Sequence, residues 1–161
     1  MDAETQVIDV DGSCRDVNFP DVNSAEAIAL IKSVQRFCRL RDAFDSEGKE
    51  LSPSELVDRL SSSGSQSIVS YWLCEGLVSQ IQLFFSWQEG SKIFVELTFF
   101  PQDVDRGAYS LKSFLDWLRP FLVALKESAY YVRYENASWV FGDASDASGV
   151  IFTNAQYPIN G

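Results

Sequence analysis

The sequence predicts an α+β fold, a mainly antiparallel sheet with helices packed on one face. Three observations carry this. The segments SIVSYWLC, SQIQLFFSW and KIFVELTFF follow one another and are rich in β-branched and aromatic residues. Within the second, Ile81, Leu83 and Phe85 alternate with Gln80, Gln82 and Phe84, which marks a sheet with one face on a core. Further on, Leu111, Phe114, Leu115, Leu118, Phe121, Leu122 and Leu125 form an apolar stripe at helical spacing. The 161 residues, 46% of them apolar, read as a single domain, 1–161, able to bury a core without metal or disulfide.

Each element has its own signal. VIDVDGSCRDVNF reads as two short extended segments around the turn Asp11-Gly12. Asn23 to Glu26 fits a capping box and starts a helix expected to reach about residue 40. Ile28, Ile31, Val34 and Cys38 share one face of it, and Arg39 and Arg41 crowd its end, where the helix dipole favours cations. RDAFDSEGKEL reads as a loop. Ser52-Pro53-Ser54-Glu55 is a second helix start, with serine as cap and proline in the first turn; that short helix ends near Leu60. SSSGSQS connects it to the strands, and Gln88 to Ser91 turns the second strand into the third. The striped helix spans 110 to about 126, with Pro120 off the stripe and expected to kink it. In AYYVRYE, Tyr130, Val132 and Tyr134 alternate with Tyr131, Arg133 and Glu135. SWVF follows after a bulge at Asn136-Ala137, and GVIFT pairs back across the loop 142–146.

Composition excludes several function classes. Thirteen Lys plus Arg against 23 Asp plus Glu give a net charge of −10, which repels phosphate backbones and disfavours nucleic acid. Such a chain attracts basic partners, although acidity also serves solubility alone. Histidine is absent, which removes the Ser-His-Asp and Cys-His arrangements and the commonest metal ligand. There is no Walker loop and no G-x-G-x-x-G. Cys14, Cys38 and Cys74 are odd in number and widely spaced. They argue against a disulfide framework and for a reducing compartment, with Cys38 and Cys74 as buried apolar fillers. The acidic start lacks an apolar leader and no run is long enough to span a bilayer, so a cytoplasmic protein without membrane contact is expected.

The residues left for chemistry are carboxylates and aromatics. Asp103 and Asp105 follow a strand, and Asp143 and Asp146 lie in the last hairpin loop. A metal site would need a third ligand at fixed spacing; turn-starting and helix-capping acids are the simpler reading, or an acidic binding rim. No cofactor, no metal and no catalytic residue is expected. Tyr131, Arg133 and Glu135 offer the kinds of side chain enriched at binding hot spots, unless their strand is buried on both faces.

FVELTFFPQDVD, the helix after it, YYVRYENASWVFGD and SGVIFTN together resemble immunity proteins of bacterial polymorphic-toxin and contact-dependent growth-inhibition systems, and CRDVNFPDV near the start is similar in flavour. The resemblance covers about half of the chain. It implies an acidic antidote, not an enzyme, that occludes the active site of one cognate toxin domain, often a basic nuclease. Asp103, Asp105, Tyr131, Arg133, Glu135, Asp143 and Asp146 would then face the toxin, on a monomer or weak dimer. The other reading of an acidic α+β chain this small is a chaperone or adaptor for a secreted effector.

Overall fold

The computed structural model describes residues 1–62, 66–87, 92–126, 129–135 and 149–159. Its centre is a seven-stranded sheet in the order β2-β3-β4-β5-β1-β6-β7, with every neighbouring pair antiparallel. The strands are β1 (Arg15–Val22), β2 (Cys38–Asp45), β3 (Ser67–Cys74), β4 (Gln80–Trp87), β5 (Ile93–Phe99), β6 (Tyr131–Tyr134) and β7 (Val150–Thr153). The first strand in sequence thus lies between β5 and β6, where it pairs on both edges.

Alternation decides which face is covered. Val17 and Phe19 of β1, Ile81, Leu83 and Phe85 of β4, and Val95, Leu97 and Phe99 of β5 are all buried. Against them pack α2 (Ser24–Val34), α3 (Pro53–Ser61) and α4 (Leu111–Ala124), through Leu30, Ile31, Val34, Leu56, Leu60, Phe114, Leu118 and Phe121. Each such side chain contributes about 1.5–3 kcal/mol on leaving water. Aromatic rings close the layer: Phe99 meets Phe114 at 5.7 Å between centroids, and Trp117 meets Phe121 edge-on at 5.2 Å. The stripe expected along α4 is the buried one, and the helix runs on through Pro120. The capping boxes form at Asn23 with Glu26 and at Ser52 with Glu55. Trp87 lies opposite Ile93, so the middle hairpin pairs as read, and β7 pairs with β6. SWVF, the Asn136-Ala137 bulge and the loop 142–146 lie outside the described residues.

Four expectations are overturned. The first half of the expected N-terminal hairpin is a helix, α1 (Ala3–Ile8), capped by the Asp2 carboxylate on the Thr5 N–H. Its valine and isoleucine favour a strand locally, but tertiary partners decide. Val7 is buried, and the Tyr109 hydroxyl donates to the Glu4 carbonyl at 2.7 Å. Arg15 is fully buried; its guanidinium donates to the carbonyls of Gln6 and Asp9, both at 2.8 Å, and lies 4.4 Å from the Tyr134 ring. Gly12, at φ +88°, makes the turn from α1 into β1.

The Asn23 helix stops at Val34 rather than near residue 40, because from Cys38 onward the chain pairs with β3, with a register shift between Leu40 and Asp42. Arg39 and Arg41 therefore sit on a strand and not at a helix end. The expected loop RDAFDSEGKEL is strand as far as Asp45. Finally, Cys38 and Cys74 are directly opposite on β2 and β3 and are joined as a disulfide, so they are neither unpaired nor simple fillers. Strand pairing brings together two residues 36 apart, which spacing alone does not disclose. Cys14 is free and buried. No helix among the described residues is long and apolar enough to cross a membrane.

Candidate functional site

The second face of the sheet carries no helix among the described residues, and its composition follows from register. One row of outward residues runs Phe44, Val69, Phe84, Glu96, Asn18, Tyr131, Thr153 across all seven strands. It is apolar on β2 to β4 and polar from β5 onward. The next row runs Asp42, Tyr71, Gln82, Thr98, Asp16, Arg133. Here a cavity of about 520 Å³ opens, lined by Asp16, Thr98, Glu96, Arg133, Gln82 and Tyr71, with Phe100, Asp103 and Glu135 also on its wall. Phe100 is 43% exposed, a large apolar ring left to solvent beside a charged hollow.

A polar network spans β5, β1 and β6. Arg133 Nε donates to Asn18 at 2.6 Å, and Asn18 Nδ2 donates to Glu96 at 2.8 Å. Arg133 Nη2 lies 3.1 Å from Glu96 and 3.4 Å from Asp16. Thr98 Oγ1 donates to Asp16 at 2.7 Å. Asp16 is 3% exposed, and burial, followed by the nearby Glu96 charge, pushes its carboxyl up to about 6 against the Thr98 bond and the Arg133 charge. Burial also raises the Asp103 carboxyl. Glu135 accepts the Cys14 N–H at 3.1 Å. Burial, followed by the Glu135 charge, pushes the Cys14 thiol up to about 12, which leaves it unreactive.

The sequence candidates divide accordingly. Asp103, Arg133 and Glu135 come together at the cavity, and Tyr131 shares the open face one row away. Arg133 is bound into the network rather than standing out as an anchor. Asp105 is exposed and caps its own turn by accepting the Gly107 N–H at 3.0 Å. Asp143 and Asp146 lie outside the described residues. Asp16, Glu96, Thr98, Gln82, Tyr71 and Phe100 were missed. Alternation with Val17, Val95, Leu97 and Leu83 marks the strand residues among them as outward, but only the insertion of β1 between β5 and β6 unites them. Among the described residues, no group of three His, Cys, Asp or Glu is placed to hold a metal ion.

No protein-family profile and no curated protein matches the chain. One solved structure is similar in fold: a chain of the crystal structure of the toxic C-terminal tip of CdiA from Pseudomonas aeruginosa in complex with an immune protein. The TM-score is 0.60 at 19% identity, over 92% of this chain and 97% of that one. The α+β fold of this chain is thus also found in a toxin–immune protein complex.

Proposed function

We propose that the chain is an immunity protein that binds a toxin domain of the contact-dependent growth-inhibition type and blocks its active site. The supporting observation is the fold shared, over nearly the whole of both chains, with a component of a toxin–immune protein complex. The immune side of such a pair suits a chain with no histidine and a large excess of acid. It works by binding, with no reaction of its own.

The open sheet face is the docking surface. It joins an apolar row at Phe44, Val69 and Phe84 to a charged hollow, the mixture of core and rim that interfaces use. Asp103, Glu135, Tyr131 and the Arg133 network belong to this face and Asp105 to its acidic rim, while Asp143 and Asp146, outside the described residues, count as partner-binding acids on their charge alone. A basic toxin, a nuclease among the candidates, is steered towards that charge. The cytoplasm, expected as the place of action, loses the support of its cysteine usage with the Cys38–Cys74 bond, since disulfides persist where the surroundings are oxidising.

The test is co-expression with the toxin domain encoded directly upstream. Growth should be rescued, and the two chains should co-elute as a one-to-one complex of folded domains. Absence of rescue, or capture of only an extended and unfolded effector segment, overturns the reading in favour of an export chaperone.

A further inference from the structure

The charge around the cavity does not balance. Its wall carries four carboxylates, Asp16, Glu96, Asp103 and Glu135, and two cations, Arg41 and Arg133. All thirteen Lys and Arg of the sequence lie among the described residues, and of these Arg41 and Arg133 line the hollow. Arg41 is engaged by the Asp42 carboxylate at 2.8 Å and lies over the Tyr71 ring at 5.0 Å. Among the described residues, Arg133 is the cation paired with Asp16 and with Glu96.

We propose that this cavity receives one arginine side chain of the partner, its guanidinium seated among Asp16, Glu96 and Glu135. The proposal rests on the toxin-binding reading and deepens it. Three features select this occupant. The hollow is as large as small-ligand sites, which occupy roughly 300–1,000 Å³. A metal ion is disfavoured, because the carboxylates are not grouped as a ligand set. A planar guanidinium presents several donors in a fixed fork, matches paired carboxylates and loses less hydration than an ammonium on entering a half-buried site.

The raised Asp16 carboxyl agrees with a site short of positive charge. The groups facing it are Glu96 and Thr98 on β5 and Arg133 and Glu135 on β6 and just beyond it. An entering guanidinium favours the ionised form of Asp16, so binding should weaken as pH falls through about 6.

The experiment titrates N-acetyl-arginine methylamide into the isotopically labelled full chain and follows its backbone amides by NMR. Asp16, Gln82, Glu96 and Thr98 should shift saturably at pH 7.5, with a dissociation constant on the order of millimolar. Binding should be weaker at pH 5 by up to about ten-fold, the ceiling for one carboxyl that titrates near 6. Asp16→Asn and, independently, Glu96→Gln should each weaken it by about ten-fold or more while keeping a dispersed, folded spectrum. The idea is overturned by shifts that never saturate, by equal shifts with tetramethylammonium, by equal affinity for the lysine analogue, or by displacement with Mg²⁺. The probe needs no toxin, so the two readings fail separately. Growth rescue without arginine binding removes the cavity assignment alone, whereas arginine binding without rescue removes the toxin partner alone.

Discussion

Under the proposed function, Asp16 concentrates the conflict between folding and binding in one side chain. It is buried on a sheet face beside a second carboxylate, and its carboxyl rises from 3.8 to about 6. The folded chain therefore keeps a proton that the unfolded chain has already released across that window. Stability falls as pH climbs from about 4 to about 6 and stays at the lower level above it. A shift of this size corresponds to roughly 3 kcal/mol. Asp16→Asn keeps an acceptor for Thr98 and leaves Arg133 with Glu96 and Asn18. It should be more stable than the parent at pH 7, by up to about 3 kcal/mol in urea unfolding, with the difference gone below about pH 4. A variant less stable at pH 7 would show that Arg133 outweighs burial. At this scale the sequence was only partly legible. It offered Asp103, Arg133 and Glu135 for their chemistry, while Asp16, Glu96 and Thr98 went unread, although their alternation with Val17, Val95 and Leu97 carries the signal for one shared face. It could not display their convergence, which is a product of non-local strand pairing.

Among the elements, legibility followed the range of the deciding interaction. The striped helix α4, the capped starts of α2 and α3 and the β4–β5 hairpin are written in residues a few positions apart. The end of α2 is not. Cys38 happens to continue the apolar helical spacing, yet its partner is Cys74 across the sheet. α1 likewise depends on Arg15 and Tyr109, which bind its carbonyls from outside the helix. The disulfide closes a loop that holds α3 and the β2 and β3 strands, and chain entropy alone assigns it about 3–4 kcal/mol. Cys38→Ser with Cys74→Ser should lower unfolding stability by about 2–4 kcal/mol, less than that ceiling if the unfolded loop keeps structure. The native chain should resist alkylation, since the remaining thiol at Cys14 is buried. Unfolded without reductant, it should take up a single label; three labels would mean that Cys38 and Cys74 are not bonded in solution.

For the whole molecule, the covered face answers for stability, and under the proposed function the open face is left for recognition. Helices and strand interiors supply the apolar burial, while the uncovered face carries the charge imbalance. A net charge of −10 also acts beyond any one contact, because it sets the field that an approaching partner meets. Steering and anchoring can therefore be separated. Reversing Asp103, Asp105, Asp143 and Asp146 to lysine tests the steering, and at Asp105, which is exposed, the change should cost folding little. Association with a basic toxin domain should slow by roughly ten-fold or more at low salt. The deficit should shrink as salt rises and the Debye length falls below about 8 Å. Tyr131→Ala lies on the open face rather than the rim, so it should instead speed dissociation with little dependence on salt. Arg133→Ala removes a member of the network as well as a face residue, and its loss of binding should come with a loss of stability in unfolding experiments. Stopped-flow binding at two ionic strengths distinguishes these cases. If the four-lysine variant associates as fast as the parent at low salt, the rim serves solubility, and the contact surface lies away from the open face.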